Sequence, residues 1–222
     1  MVTWTAKQLS DFLAAEREGR LYPLCLLLAT TGLRRGEALG LRWQDVDLDN
    51  ARLSVRQTVI SISGKLHIRP TTKTGKARVV DLDPGTITTL RAHKVGQAQE
   101  RLAAGGRWAD KGLLFTKDDS RLGEGGAPGD PLHPERLTRT LQRRIRAYNM
   151  AHPDATLPVF GPHGLRHTWA TLALGAGVHP KVVSERLGHS TIAITLDTYS
   201  HVTPTLQRQA AEQVAALFVR PA

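Results

Sequence analysis

The chain has 222 residues, room for one domain of ordinary size or at most two small ones. Its 30 Lys+Arg against 20 Asp+Glu give a formal net charge of +10, while 41% hydrophobic and 23% charged content excludes a disordered basic tail as the whole molecule. The one cysteine, Cys25, excludes an internal disulfide and a cysteine-rich zinc module, and apolar runs such as 24–29 stop at six residues, far short of a membrane span.

Taken in chain order, Thr5 and Gln8 have capping-box spacing, and Leu9, Phe12 and Leu13 then mark one helical face. Residues 21–30, almost wholly apolar, predict a buried second helix that Thr31-Gly32 breaks, and a short helix resumes over 35–41. Residues 53–60 alternate as a strand, Ser63-Gly64-Lys65 supplies a turn, and 66–68 return as a second strand. A third strand covers 77–82, led by the loop 72–76. A helix over 84–104 ends at Gly105-Gly106, and a short strand over 113–116 leads into 118–131, a surface loop dense in Gly, Pro and charge. Pro134 opens the next helix, with Leu137, Leu141 and Ile145 spaced four apart, and shorter helices follow over 165–174, 180–187, 191–199 and 204–218. There is no internal repeat. The pattern predicts one α+β domain, mostly α-helical, with a small antiparallel three-stranded sheet near the N-terminus.

A net charge of this sign suits a polyanionic partner, nucleic acid before others, but many basic proteins bind none, so particular residues must decide. Four places combine reactive side chains with a local structure that presents them. In Thr31-Gly-Leu-Arg-Arg-Gly-Glu, Arg34 enters a helix and Glu37 lies three residues on, along the same face. A cation at the positive end of a helix is unfavourable unless a phosphate is shared there; the plain alternative is a surface ion pair worth on the order of a few tenths of a kcal/mol. Lys73 sits on a turn between strands, where a lysine reaches into a cleft or stays in water. His163 and Arg166, three apart at a helix start behind Pro162, can both donate to phosphate oxygens. His189 follows Gly188 at a helix end, and Tyr199 comes ten residues later at the end of the next.

The order Arg34, Lys73, His163-x-x-Arg166, Leu187-Gly-His189 and Tyr199 resembles the tyrosine recombinase (phage integrase) family, over almost the whole chain from about Thr5 to Leu217. TGLRRGEALGLRWQDVD is similar to the family's first box, GPHGLRHTWATLAL to its second, with Gly164 where the family often has Asp, and LGHSTIAITLDTYSHV to its last. The resemblance implies the tyrosine recombinase catalytic-domain fold and DNA cleavage and rejoining through a 3′-phosphotyrosine, without ATP, metal or other cofactor. Tyr199 is then the nucleophile, Arg34 and Arg166 clamp the phosphate, and Lys73 protonates the 5′-oxygen. His163 accepts the tyrosine proton, His189 donates to a phosphate oxygen, and Glu37 holds Arg34. The rival use of nine histidines, a metal site, lacks both the HExxH glutamate and an Asp or Cys cluster near His163 and His167.

The partner so implied is double-stranded DNA at attachment sites, with Arg136, Arg139, Arg143, Arg144 and Arg146 supplying backbone contacts around one helix. The resemblance further implies a tetramer on DNA for a full-length protein and a monomer for the isolated domain, leaves room for an excisionase, and places the protein in a bacterial cytoplasm. Only about 30 residues precede Arg34, so the expectation is a single catalytic domain over 1–222, without the family's N-terminal core-binding domain. The C-terminal helix within 204–222 is expected to pack on a neighbouring protomer or, with equal weight, on its own core. A type IB topoisomerase and a DNA-binding protein without catalysis are the alternatives; the LGHS and TYSHV wording disfavours the first and the intact residue set the second.

Overall fold

A computed structural model describes residues 2–70, 77–118 and 126–199, together with 212, 214, 215, 217 and 218. The loop carrying Lys73 lies outside the described residues, as do 119–125 of the Gly- and Pro-rich loop and most of the segment expected as the last helix. Among the described residues the helices run as α1 (Ala6–Ala15), α2 (Tyr22–Thr31), α3 (Arg35–Gly40), α4 (Pro84–Ala104), α5 (Pro134–Ala151), α6 (Pro162–Gly175), α7 (Pro180–Leu187) and α8 (Ile192–Thr198). The strands are β1 (Val46–Asp47), β2 (Arg52–Val55), β3 (Gln57–Ile62), β4 (Lys65–Pro70) and β5 (Arg78–Asp81).

Thr5 and Gln8 form the capping box their spacing predicts: the Gln8 amide donates to Thr5 Oγ1 at 3.2 Å and the Thr5 amide to Gln8 Oε1 at 2.9 Å. Helix α2 is apolar on all sides because α1, α3, α4 and α6 enclose it. It stops at Gly32, which takes φ 66° and returns its amide to Leu28 O at 3.1 Å. A Cβ there would stand 2.7 Å from the Leu187 side chain and 2.9 Å from the Trp169 ring, so space as well as backbone conformation requires glycine.

An antiparallel three-stranded sheet has the order β1-β2-β5, and β3 with β4 forms a separate hairpin. The alternating run 53–60 is therefore two strands that part at Arg56. Leu53 faces Val80 across β2 and β5, whereas Val59 faces Ile68 across β3 and β4. Alternation tells which face is buried, and Leu53, Val55 and Val59 all point inward; it does not tell which strand lies alongside. Ser63 (φ 48°) and Gly64 (φ 77°) supply the pair of left-handed residues that a two-residue hairpin turn needs. Residues 113–116 are not a strand: Leu113 bridges Arg42 and Thr116 bridges Pro131, each singly.

Helix α5 buries Leu137, Leu141 and Ile145 and leaves Arg139, Arg143 and Arg146 in solvent. The main core joins α1 to α5, both sheets and the start of α6. A second, smaller cluster of Ala170, Leu174, Val183, Leu187 and Tyr199 joins α6, α7 and the end of α8. Among the described residues no helix is long and apolar enough to cross a membrane.

Candidate active site

Arg34 is the N-cap of α3. Its amide donates to Glu37 Oε2 at 2.9 Å and its Nη1 to Glu37 Oε1 at 2.9 Å. A carboxylate in the first turn is where the unpaired amides and the positive end of a helix favour an anion. Glu37 is only 4% exposed while the Arg34 side chain is 46% exposed, so this is not a surface pair but a buried carboxylate steering a guanidinium that opens to solvent. Arg78, the first residue of β5, closes on the same carboxylate in a fork, Nη2 to Oε2 at 2.7 Å and Nη1 to Oε1 at 3.2 Å. Arg34 Nη2 donates in addition to Gly188 O at 3.0 Å. Gly188 ends α7 at φ 69°, and a Cβ on it would run into the Arg78 guanidinium.

Arg166, on α6 and 2% exposed, donates from Nη1 to Gly32 O and from Nη2 to Leu187 O, both at 2.9 Å. It thereby ties the end of α2 to the end of α7, and these bonds use two of the five N–H donors of a guanidinium. Arg34, His163, Arg166, His167, His189 and Tyr199 line one open cleft of about 390 Å³. A groove of about 590 Å³ shares Arg34 and His163 with it and runs between β3 and the N-terminal end of α5.

Tyr199, 2% exposed, holds its Oη 2.8 Å from His167 Nδ1. The His163 ring meets the His167 ring edge-on, with centroids 4.3 Å apart at 82°. His189 Nδ1 lies 2.8 Å from Thr195 Oγ1, which sets the ring in the junction between α7 and α8.

The sequence pattern of the phage integrase family matches residues 3–205. The chain belongs to that family. Similar proteins include a XerC-like tyrosine recombinase of Caldanaerobacter subterraneus subsp. tengcongensis, 32% identical over 98% of this chain and 54% of that protein. The integrase of Staphylococcus phage L54a is 26% identical over 85% of this chain and 50% of that protein. Among solved structures, the Tn1549 transposon integrase in complex with transposon right-end DNA has the same fold, with a TM-score of 0.79 at 24% identity over 96% of this chain and 66% of that one. The catalytic domain of bacteriophage HP1 integrase matches with a TM-score of 0.53 at 19% identity, over 100% of this chain and 99% of that one. The chain spans about half the length of the two relatives named first.

Of the integrase-family positions read from the sequence, Arg34, Glu37, His163, Arg166, His189 and Tyr199 converge here, and Lys73 lies outside the described residues. Two residues at the site were not singled out for a role. In the sequence Arg78 is only a charge at the start of the third strand, and His167 only a histidine one helical turn beyond His163.

Around the one carboxylate of Glu37 stand three guanidiniums, and this surplus of positive charge shapes every titration in the cleft. Burial alone would raise the Glu37 carboxyl; the Arg78 and Arg34 bonds outweigh it and hold the group below the usual carboxylate range. Burial, then the neighbouring Arg34, pushes Arg166 down to about 10, which leaves it charged at neutral pH. Burial followed by the adjacent cationic groups pushes both His167 and His189 down to about 4, and lowers His163 as well. Burial raises the Tyr199 phenol, with Arg166 partly offsetting it, so the hydroxyl keeps its proton in the resting site.

Proposed function

We propose that this protein is the catalytic part of a site-specific DNA recombinase that cuts and rejoins strands through a 3′-phosphotyrosine at Tyr199. The observation that carries the reading is the cleft itself: two guanidiniums, three imidazoles and a buried phenol face one space. Tyr199 Oη attacks the scissile phosphorus, an O–P bond forms, and the P–O5′ bond breaks to leave a free 5′-hydroxyl. One phosphodiester replaces another, which is why no ATP is consumed. Arg34 and Arg166 bind the non-bridging oxygens, and their charge is best matched when the pentacoordinate transition state carries most negative charge. With Thr195 Oγ1 on Nδ1 of its ring, His189 offers Nε2 to a phosphate oxygen. Lys73 delivers the proton to the departing 5′-oxygen, which otherwise leaves as a strongly basic alkoxide. Glu37 positions Arg34 and touches no DNA.

The groove between β3 and α5 continues from Arg34 and His163 and is where the duplex runs on from the scissile phosphate. Contacts there and along the arginines of α5 go to the DNA backbone, so binding weakens steeply with salt. The deciding experiment captures duplexes from a randomised pool as detergent-resistant adducts, rebuilds the selected sequence with a nick beside the cut, and follows the covalent product. The expected result is an adduct that needs neither divalent metal nor ATP and that disappears in Tyr199→Phe. An adduct that persists in that variant contradicts the mechanism. Strand exchange between two such duplexes, set against relaxation of a supercoiled plasmid, separates recombinase from topoisomerase.

A further inference from the structure

We propose that His167 is a catalytic residue, the group that takes the proton from Tyr199 as the tyrosine attacks and returns it when the strands rejoin. The inference rests on Tyr199 being the nucleophile, as proposed above, and goes beyond it in naming the proton's destination. A general base must lie within hydrogen-bond reach of the proton it removes, about 2.6–3.2 Å between heavy atoms. His167 Nδ1 is 2.8 Å from Tyr199 Oη, with ring centroids 5.8 Å apart. His163, the residue the sequence pattern suggests for this task, is exposed and presents its ring to His167, one turn along α6.

The surroundings suit the role. His167 shares the cleft with His163 and Arg166 from its own helix, with His189 from the α7–α8 junction, and with Tyr199 after α8. Burial first, then His163 and Arg166, keeps its imidazole neutral, at about 4, so one ring nitrogen has a lone pair at neutral pH. We assign the proton of the neutral ring to Nε2, which leaves Nδ1 to accept from the phenol. A phosphodiester bound between Arg34 and Arg166 brings negative charge into the same cleft, which stabilises the imidazolium as it forms.

The step balances. The Oη–H bond breaks and its proton moves to Nδ1 as Oη–P forms. The P–O5′ bond breaks, and the 5′-oxygen takes its proton from Lys73. On rejoining, the 5′-hydroxyl returns its proton to Lys73 as its oxygen attacks phosphorus, Oη–P breaks, and the imidazolium of His167 reprotonates the phenolate.

Two measurements test this on the full chain. The first is single-turnover adduct formation on the selected nicked duplex by His167→Gln and His167→Ala, with binding and melting curves recorded for each. The expected result is a loss of about 100-fold in cleavage rate in both, with duplex affinity unchanged. Added imidazole is expected to restore about tenfold in His167→Ala and nothing in His167→Gln, a rescue that a merely structural role does not produce. A Gln variant within about twofold of the unaltered protein overturns the assignment, and so does one that cleaves faster, since the contact then holds the tyrosine back. The second measurement needs no DNA: nitrogen NMR of the histidine rings is expected to show His167 protonated at Nε2 and its Nδ1 resonance displaced by Tyr199→Phe. A proton on Nδ1 overturns the proposal even if the variants fold poorly. Absence of any adduct from the unaltered protein removes the recombinase reading itself; an active protein with an equally active Gln variant removes only the role of His167.

Discussion

Arg34 and Arg166 stand where helices meet the main core, each tied by two or more hydrogen bonds to buried groups, whereas Tyr199 follows a seven-residue helix that belongs to a separate cluster of five buried residues. On α8 itself Thr195 is buried, while Ile194 and Leu196 face solvent. The phosphate-binding half of the cleft is thus fixed before DNA arrives, as electrostatic stabilisation of a transition state requires. The nucleophile half packs as its own small cluster with α6 and α7, so it can shift relative to the phosphate without repacking the main core.

The largest effect tests the nucleophile half alone. Tyr199→Phe is expected to reduce adduct formation by more than about 10⁴-fold in a single-turnover assay, with a melting temperature lower by only about 2–4 °C, the cost of the lost hydrogen bond to His167. A large drop in melting temperature would mean that the small cluster carries more of the fold than its size suggests.

Arg166→Ala breaks the fixed half. It strands the carbonyls of Gly32 and Leu187 and removes a phosphate donor, so both readouts move. Denaturant unfolding is expected to show a loss of about 2–3 kcal/mol, and cleavage to slow by about 10²–10³-fold.

Arg78 sharpens the contrast because its hydrogen bonds reach the cleft through Glu37. Arg78→Ala and Glu37→Gln are each expected to slow cleavage by about tenfold, and the double variant by much less than the product, with a coupling of about 1 kcal/mol. Additive effects in that cycle would show that Arg78 acts on the DNA directly.

The smallest effect is on pH. Burial and nearby cations hold His167 and His189 at about 4 in the folded chain, against 6.5 for a free histidine. Between those values the unfolded chain binds more protons, so stability rises with pH across that window: it is present in full above 6.5 and is lost as pH falls towards 4. Melting curves are expected to drop by roughly a few degrees over this range, and by less in a variant with Gln at both positions.

The sequence carried what depends on neighbours along the chain. The capping box of α1, the ends of α4 and the turn at Ser63-Gly64 are local arrangements, and each forms where its residues predict. The Arg34–Glu37 and His163–Arg166 spacings likewise mark one helical face each. What the chain order hides is what comes from a distance. Arg78 reaches Glu37 across 41 positions only because β5 lies beside β2, and the alternation through Arg56 gave no sign that the strand changes partners there. His167 meets its tyrosine across 32 positions only because α7 and α8 bring residue 199 back to α6, so its one turn of spacing from His163 says nothing about the proton.

The most direct test of the account digests the covalent adduct with nuclease and trypsin and sequences the modified peptide by mass spectrometry. One modified peptide is expected, covering residues 187–208, with a nucleotide joined through its 3′-phosphate to Tyr199. A nucleotide on any other residue, or one joined through its 5′-phosphate, contradicts it.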